Sequence, residues 1–144
     1  LNAGVARGQM LHLDEHRAGK KKIYERYKAA FENLPVEMNP YPACSEPNFW
    51  LSCFTIDKQL VESGKVTPEK IRLKLEEYNI ESRPIWKPMH MQPFYAGCDY
   101  VTVGDKNGDV GEDIFTRGLC LPSDLNMSEE VQEVIVAVAH RCFM

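Results

Sequence analysis

The densest chemistry in this chain falls in one short segment, Ser82-Arg83-Pro84-Ile85-Trp86-Lys87-Pro88-Met89-His90-Met91-Gln92. It gathers a guanidinium at Arg83, an indole at Trp86, an ammonium at Lys87 and an imidazole at His90. Arg and Lys suit phosphate or carboxylate groups. Trp offers a flat face to a base or sugar, and His hydrogen-bonds or exchanges a proton near neutral pH. Pro84 and Pro88 keep the backbone extended and stiff, so these groups can be displayed with little ordering cost. The same residues also suit a strand end, with Trp86 in the core and ordinary charges in water. Residue types alone leave both readings open.

Two other patterns could hold metal. His12-Leu13-Asp14-Glu15-His16 is an H-x-x-E-H spacing. On a helix it puts His12 and His16 on one face as zinc ligands, with Glu15 as general base of a peptidase. A third ligand is needed, and neither His90 nor His140 has a distinctive spacing to the pair. A charged, solvated helix face is the expected reading, and Asp14, Glu15 and Arg17 fit it well. Gly104-Asp105-Lys106-Asn107-Gly108-Asp109 faintly resembles a calcium loop, but Val110 stands where the pattern wants Gly, so a surface turn is expected. No metal is expected.

The cysteines are Cys44, Cys53, Cys98, Cys120 and Cys142. Their odd number and the lack of a C-x-x-C pair speak against a disulfide framework and a cysteine zinc site. Reduced thiols in a cytoplasmic protein are the expectation, with Cys120 a small core residue.

The elements that must position these groups follow from periodicity and punctuation. From about Ala3 to Phe31 the pattern reads as one long helix, with Ile23, Tyr27, Ala30, Phe31 and Leu34 on its apolar stripe. A helix of about 29 residues would span about 43 Å, more than a small domain is wide. Gly4, Gly8 and Gly19 weaken it, which close contacts would explain. Prolines 35, 40, 42 and 47 mark a loop over 35–48. Asn48 to Ile56 reads as a strand covered on both faces, followed by a turn and a polar segment. Thr67-Pro68-Glu69 opens a helix that buries Ile71, Leu75 and Tyr78. Ile80 to Trp86 reads as a short strand, Tyr100 to Val103 as a strand-like patch, and Ile114 to Gly118 as a helical turn. Leu119-Cys120-Leu121 is a buried strand. Ser128 opens a last helix whose apolar face holds Val131, Val134, Ile135, Val138 and Phe143. The order predicts an α+β fold, with a long N-terminal helix and further helices packed on a small, mostly antiparallel sheet. No Gly-rich strand-to-helix loop supports a doubly wound nucleotide fold.

At 144 residues the chain is the size of one domain, and 44% hydrophobic with 26% charged residues is ordinary globular composition. A net charge of -4 and a pI near 5.6 argue against nucleic-acid or anionic-membrane partners. No apolar run approaches the roughly 20 residues that span a bilayer. The chain starts at Leu1, inside what reads as the middle of a helix, so a piece of something longer is expected.

The cluster also carries a resemblance. Glu81-Ser82-Arg83-Pro84-Ile85-Trp86-Lys87-Pro88-Met89-His90-Met91-Gln92-Pro93 closely resembles a sequence block of the DegT/StrS-type nucleotide-sugar aminotransferases. Ala3-Gly4-Val5-Ala6-Arg7-Gly8-Gln9-Met10 with Leu13 to Arg17 is similar to that family's interdomain helix. Ile114-Phe115 and Gly118-Leu119-Cys120-Leu121-Pro122-Ser123 are similar to its C-terminal strand. The blocks occur in family order over essentially the whole chain.

The resemblance implies a pyridoxal-phosphate-dependent enzyme of the aspartate-aminotransferase fold. Such enzymes move an amino group, usually from glutamate, onto a keto group of a nucleotide-linked sugar, for amino-sugar and surface-polysaccharide synthesis. It implies residues 1-34 as the interdomain helix, residues 35-144 as the small C-terminal domain, and a homodimer. The family's Schiff-base lysine and the aspartate that pairs with the pyridine nitrogen belong to a large domain, and their motifs are not found here. No catalytic or cofactor-binding residue is therefore expected in this chain, which alone would be inactive and carry no pyridoxal phosphate. Arg83, Trp86, Lys87 and His90 would line one wall of the substrate cleft. The other readings are a free-standing module for a nucleotide sugar or phosphate ligand, and the peptidase built on His12, Glu15 and His16.

Overall fold

Several helix starts in this chain are set by side chains that accept from the otherwise unpaired N–H groups of a first turn. In a computed structural model describing residues 1–101 and 109–144, four such caps are seen. Asp57 accepts from Gln59 and Leu60, Thr67 from Lys70, Asp109 from Glu112 and Ser128 from Val131. The elements run α1 (Asn2–Met10), α2 (Leu13–Ala30), β1 (Val36–Met38), β2 (Ser52–Ile56), α3 (Lys58–Glu62), α4 (Pro68–Glu76) and β3 (Arg83–Pro84). Short 3-10 turns follow at Met89–Met91 and Pro93–Tyr95, then α5 (Val110–Arg117), β4 (Gly118–Leu121) and α6 (Glu129–Arg141).

The strands form one antiparallel sheet in the order β1-β2-β4-β3. In β2 the residues Ser52, Phe54 and Ile56 are buried while Cys53 and Thr55 are half-buried. Phe54 pairs with Leu119 and Ser52 with Leu121, so these side chains share one face of the pleat. That face carries the core. Tyr27 and Phe31 from α2, Ile71 and Leu75 from α4, and Ile135, Val138 and Ala139 from α6 close over it. The result is a layer of helices on a small antiparallel sheet, as the element order predicts.

The structure departs from several sequence expectations. The long helix is two helices, α1 and α2, parted by a turn at Leu11 and His12. α1 buries no residue, and a Cβ at Gly4 or Gly8 would meet nothing within 4 Å among the described residues, so no packing there offsets their poor propensity. Gly19 does have a reason, since a Cβ there would sit 2.7 Å from the Leu125 side chain. The proline-marked loop contains β1. The polar segment after Asp57 is α3, which Asp57 caps.

The strand expected from Asn48 begins only at Ser52. Phe49 takes a left-handed φ of 52°, which no strand accommodates. Asn48 accepts the Trp50 N–H at 3.0 Å to make the local turn. β2 alternates rather than being covered on both faces. β3 is only Arg83–Pro84, and α4 stops before Tyr78, which is exposed. Tyr100 and Val101 belong to no strand; Thr102 and Val103, and the calcium-like stretch up to Gly108, lie outside the described residues.

In α6 the buried face is Gln132, Ile135, Val138 and Ala139, whereas Val131 and Val134 are half exposed. Gln132 takes the inward position because its side-chain amide donates to the Ile23 carbonyl at 2.8 Å, tying α6 to α2.

Candidate functional site

The cluster singled out in the sequence is carried outward from the sheet edge. β3 holds Arg83 opposite Cys120 and Pro84 opposite Leu119 on β4. Beyond it the chain leaves the ladder, since proline cannot donate to it, and Trp86 emerges 64% exposed. Trp86 is therefore not a core residue. It leans against Trp50, ring centroids 5.7 Å apart, and Trp50 is itself 62% exposed. The left-handed turn at Phe49 explains this neighbour. Phe49 packs inward against Tyr24 and Tyr41, which throws the next side chain outward.

Below the indole of Trp86 lies an open cleft of about 290 Å³ lined by Ser82, Arg83, Trp86, Cys120, Pro122 and Ser123, among others. The Ser82 hydroxyl is buried there without a hydrogen-bond partner among the described residues. Ser123 fixes the far side, where its Oγ accepts the Ser52 N–H at 3.0 Å and donates to the Leu121 carbonyl. Lys20 on α2 bonds the Ser123 and Trp50 carbonyls, joining both rims. Arg83 is not free, for its Nε and Nη2 donate to Glu81 Oε1 at 2.9 and 2.6 Å. This pair is exposed and so worth little, which leaves the guanidinium available to a stronger anion.

His90 does not line that cleft. It sits in the first 3-10 turn, 20% exposed, and forms a second cluster. Tyr100 stacks on its imidazole, and the Tyr100 hydroxyl donates to Asp109 Oδ2. That same carboxylate oxygen is 3.9 Å from His90 Nε2, while Asp109 Oδ1 caps α5. The Tyr100 hydroxyl, followed by the Glu112 N–H, holds the Asp109 carboxyl below its ordinary pKa, and His90 adds to this. The carboxylate in turn raises the Tyr100 phenol, which therefore stays a donor. Lys87 is exposed, and its carbonyl accepts from the Gln92 amide at 3.1 Å, bracing the turn that carries His90.

The remaining candidates are separate from these clusters. His12 and His16 stack at 5.9 Å, and His12 Nδ1 is 3.5 Å from Glu15. Among the described residues no three His, Cys, Asp or Glu come close enough to hold a metal ion, so the pair lacks the third ligand a zinc site needs. No described helix is long and apolar enough to cross a membrane.

The sequence pattern of the DegT/DnrJ/EryC1/StrS aminotransferase family matches residues 1–139. The chain belongs to that family. EpsN of Bacillus subtilis (strain 168), named as a pyridoxal phosphate-dependent aminotransferase, is 39% identical over 142 residues, covering 98% of this chain and 35% of its own length. GDP-perosamine synthase of Caulobacter vibrioides is 27% identical over 141 residues, covering 96% of this chain and 36% of its own. The solved structure of DesV from S. venezuelae superposes with a TM-score of 0.77 at 19% identity, over 99% of this chain and 36% of DesV. This member of the DegT/DnrJ/EryC1/StrS family thus spans about a third of the length of the curated relatives it matches. Its fold is that of the corresponding part of the pyridoxal-phosphate transferases.

Sequence reasoning missed Trp50, Tyr100, Asp109 and Ser123 as site residues. Each reaches the clusters through tertiary folding, and only the Asn48 turn signal beside Trp50 is visible locally.

Proposed function

We propose that this chain is the C-terminal portion of a pyridoxal-phosphate-dependent aminotransferase that aminates a nucleotide-linked keto sugar, and that it supplies one wall of the substrate cleft. In this reading residues 1-34 connect to a large domain and residues 35-144 are the small domain. Family membership supports the reaction class, and the name of the Caulobacter relative supports a nucleotide-linked sugar. The observation that carries the role of this chain is the exposed Trp86–Trp50 pair standing over a cleft that holds Arg83 and an unpartnered buried Ser82 hydroxyl. A flat aromatic face, a guanidinium and an unsatisfied hydroxyl suit a base or sugar joined to phosphate.

Arg83 and Lys87 would take the phosphates, Trp86 the base or sugar, and His90, from the second cluster outside that cleft, a sugar hydroxyl. Glutamate as amino donor, a homodimer and a cytoplasmic setting belong to the same proposal.

No described lysine is placed to carry the cofactor as a Schiff base. A Schiff-base lysine must be a neutral amine in a sheltered slot. Every described lysine is exposed or only half-buried, and Lys74, beside Glu77, is held above its ordinary pKa, the opposite of what is needed. The wall binds, orients and shelters.

The test is a His90→Ala variant of the protein as its gene encodes it. Turnover of a nucleotide-linked keto sugar is expected to fall while cofactor absorbance is kept. Unchanged kinetics would refute the role of His90, and nucleoside-diphosphate binding without any transamination would favour a binding module instead.

A further inference from the structure

Cys53 and Cys120 meet across the sheet in a way their sequence positions give no hint of. They are direct partners in the β2–β4 ladder, with sulfurs 3.4 Å apart. The type of rung matters. The Cys53 N–H donates to Asn39 Oδ1 at 3.0 Å, and the Cys53 carbonyl accepts the Asn39 N–H at 2.9 Å. Both backbone groups of Cys53 therefore face the β1 side and neither faces β4. The Cys53–Cys120 rung is the non-hydrogen-bonded kind, in which opposed Cα atoms approach to about 4.5 Å. That lies within the roughly 4.4–6.8 Å that a disulfide spans, so the sulfurs can bond by turning about their own side chains.

The two sulfurs are also unequal. Cys53 donates its S–H to Cys120, which holds the Cys120 thiol below its ordinary pKa, while the same bond and burial push Cys53 up. Cys120 is only 6% exposed, and what it exposes lines the cleft under Trp86, while Cys53 is half-buried. The other thiols are placed differently. Cys44 and Cys98 are exposed, and Cys142 donates to the Val138 carbonyl of its own helix.

We infer that Cys53 and Cys120 form a dithiol site that closes into an intramolecular disulfide by exchange with a low-molecular-weight disulfide, stapling β2 to β4 behind the cleft. The Cys120 thiolate attacks one sulfur of the external disulfide. That S–S bond breaks, and the departing thiolate takes up the proton Cys120 released. Cys53 then loses its proton and attacks the Cys120 sulfur, breaking the mixed disulfide and freeing a second external thiol. Two protein thiols are oxidised by two electrons, and one external disulfide is reduced to two thiols.

The test places the protein as its gene encodes it in mixtures of oxidised and reduced glutathione, followed by alkylation and mass analysis. The expected product is lighter by two hydrogens before alkylation and carries two fewer alkyl groups after it, with one cross-linked peptide pair joining Cys53 to Cys120, and the thiols are restored by excess reduced glutathione. In Cys53→Ser, glutathione should remain attached to Cys120 because no second thiol resolves it. Stable glutathione on either cysteine of the unsubstituted protein would overturn the inference, as would linkage of either to Cys44, Cys98 or Cys142. So would persistence of both thiols under conditions that modify the exposed Cys44 and Cys98. The unsubstituted protein alone decides the matter, whether or not the serine variant folds.

Discussion

The imidazole of His90 lies face to face with the ring of Tyr100, centroids 3.8 Å apart and planes 21° from parallel. Tyr100 is in turn tied to Asp109, the cap of α5, so the attitude of the imidazole is referred to a helix rather than to its own short turn. Tyr100→Leu, which removes the stack, is expected to lower kcat/KM for the nucleotide sugar about tenfold, equivalent to ~1.4 kcal/mol. Tyr100→Phe keeps the stack but cuts the tie to Asp109, so it should lose much of the same activity. Asp109→Ser separates the two duties of the carboxylate, because serine still caps a helix but is too short to hold Tyr100. It should resemble Tyr100→Leu in kinetics while leaving the unfolding midpoint nearly unchanged. Equal losses in stability and activity would show that only the cap matters.

Trp50 and Trp86 are the two tryptophans of this sequence. If a nucleotide base settles against Trp86, a nucleoside diphosphate should quench its emission, and Trp86→Ala should abolish that change and weaken binding. Base-on-aromatic contacts are worth about 1–3 kcal/mol, so the loss in affinity should fall between about 5-fold and 150-fold. A fluorescence titration of both proteins measures it.

Gly118 opens β4 where no side chain fits. A Cβ at that position would lie 2.5 Å from the Ile114 carbonyl oxygen and also against Ile85. The carbonyl belongs to the α5 backbone and cannot swing aside. Gly118→Ala is expected to destabilise the fold by about 1–3 kcal/mol through overpacking. Gly4→Ala, with open space around it, should be neutral or stabilising. Urea unfolding of the pair provides the comparison.

Arg117 bridges two elements, donating to Asp113 one turn back on α5 at 2.9 Å and to the Ile56 carbonyl at the end of β2 at 2.6 Å. The guanidinium holds the Asp113 carboxyl below its ordinary pKa. A carboxyl whose folded pKa is depressed adds stability that is complete above its unfolded pKa, roughly 3.9 for Asp, and is lost as pH falls through the lower folded value. Asp113→Asn should therefore reduce the unfolding midpoint at neutral pH and lose that difference in acid below the folded pKa. A constant difference at all pH values would mean that the pair contributes no proton linkage. Arg117→Met should cost about 1–3 kcal/mol, since it also strips the Ile56 carbonyl of its partner.

Local signals carried much of this fold. Thr67-Pro68-Glu69 and Ser128-Glu129-Glu130 mark helix starts because caps act within four residues, and both helices begin there. The apolar run at Leu119 marks β4 for the same local reason. What escaped were features decided at a distance. The break at Leu11 and His12 reflects what α1 fails to touch. The inward turn of Gln132 depends on a carbonyl of another helix, and β1 is a strand because Val36 to Met38 find β2 to pair with. The site divides in the same way. Arg83, Trp86, Lys87 and His90 stand out together in the sequence, but their supports at Trp50, Tyr100, Asp109 and Ser123 are assembled only by folding. Two cysteines 67 positions apart make a pair for the same reason.

The strand order has a further consequence during synthesis. β4 lies between β2 and β3, yet it is translated after both. Until Gly118–Leu121 emerges from the ribosome, the edge of β2 that will meet β4 is bare and β3 has no partner in the sheet. The nascent chain must hold both strands apart from stray strands while roughly sixty residues follow Ser52–Ile56 and roughly thirty follow Arg83–Pro84, several seconds at ~5–20 residues per second. Asp57, Lys58 and the prolines around β3 serve as guards in that interval, because charge and proline make a poor template for a foreign edge.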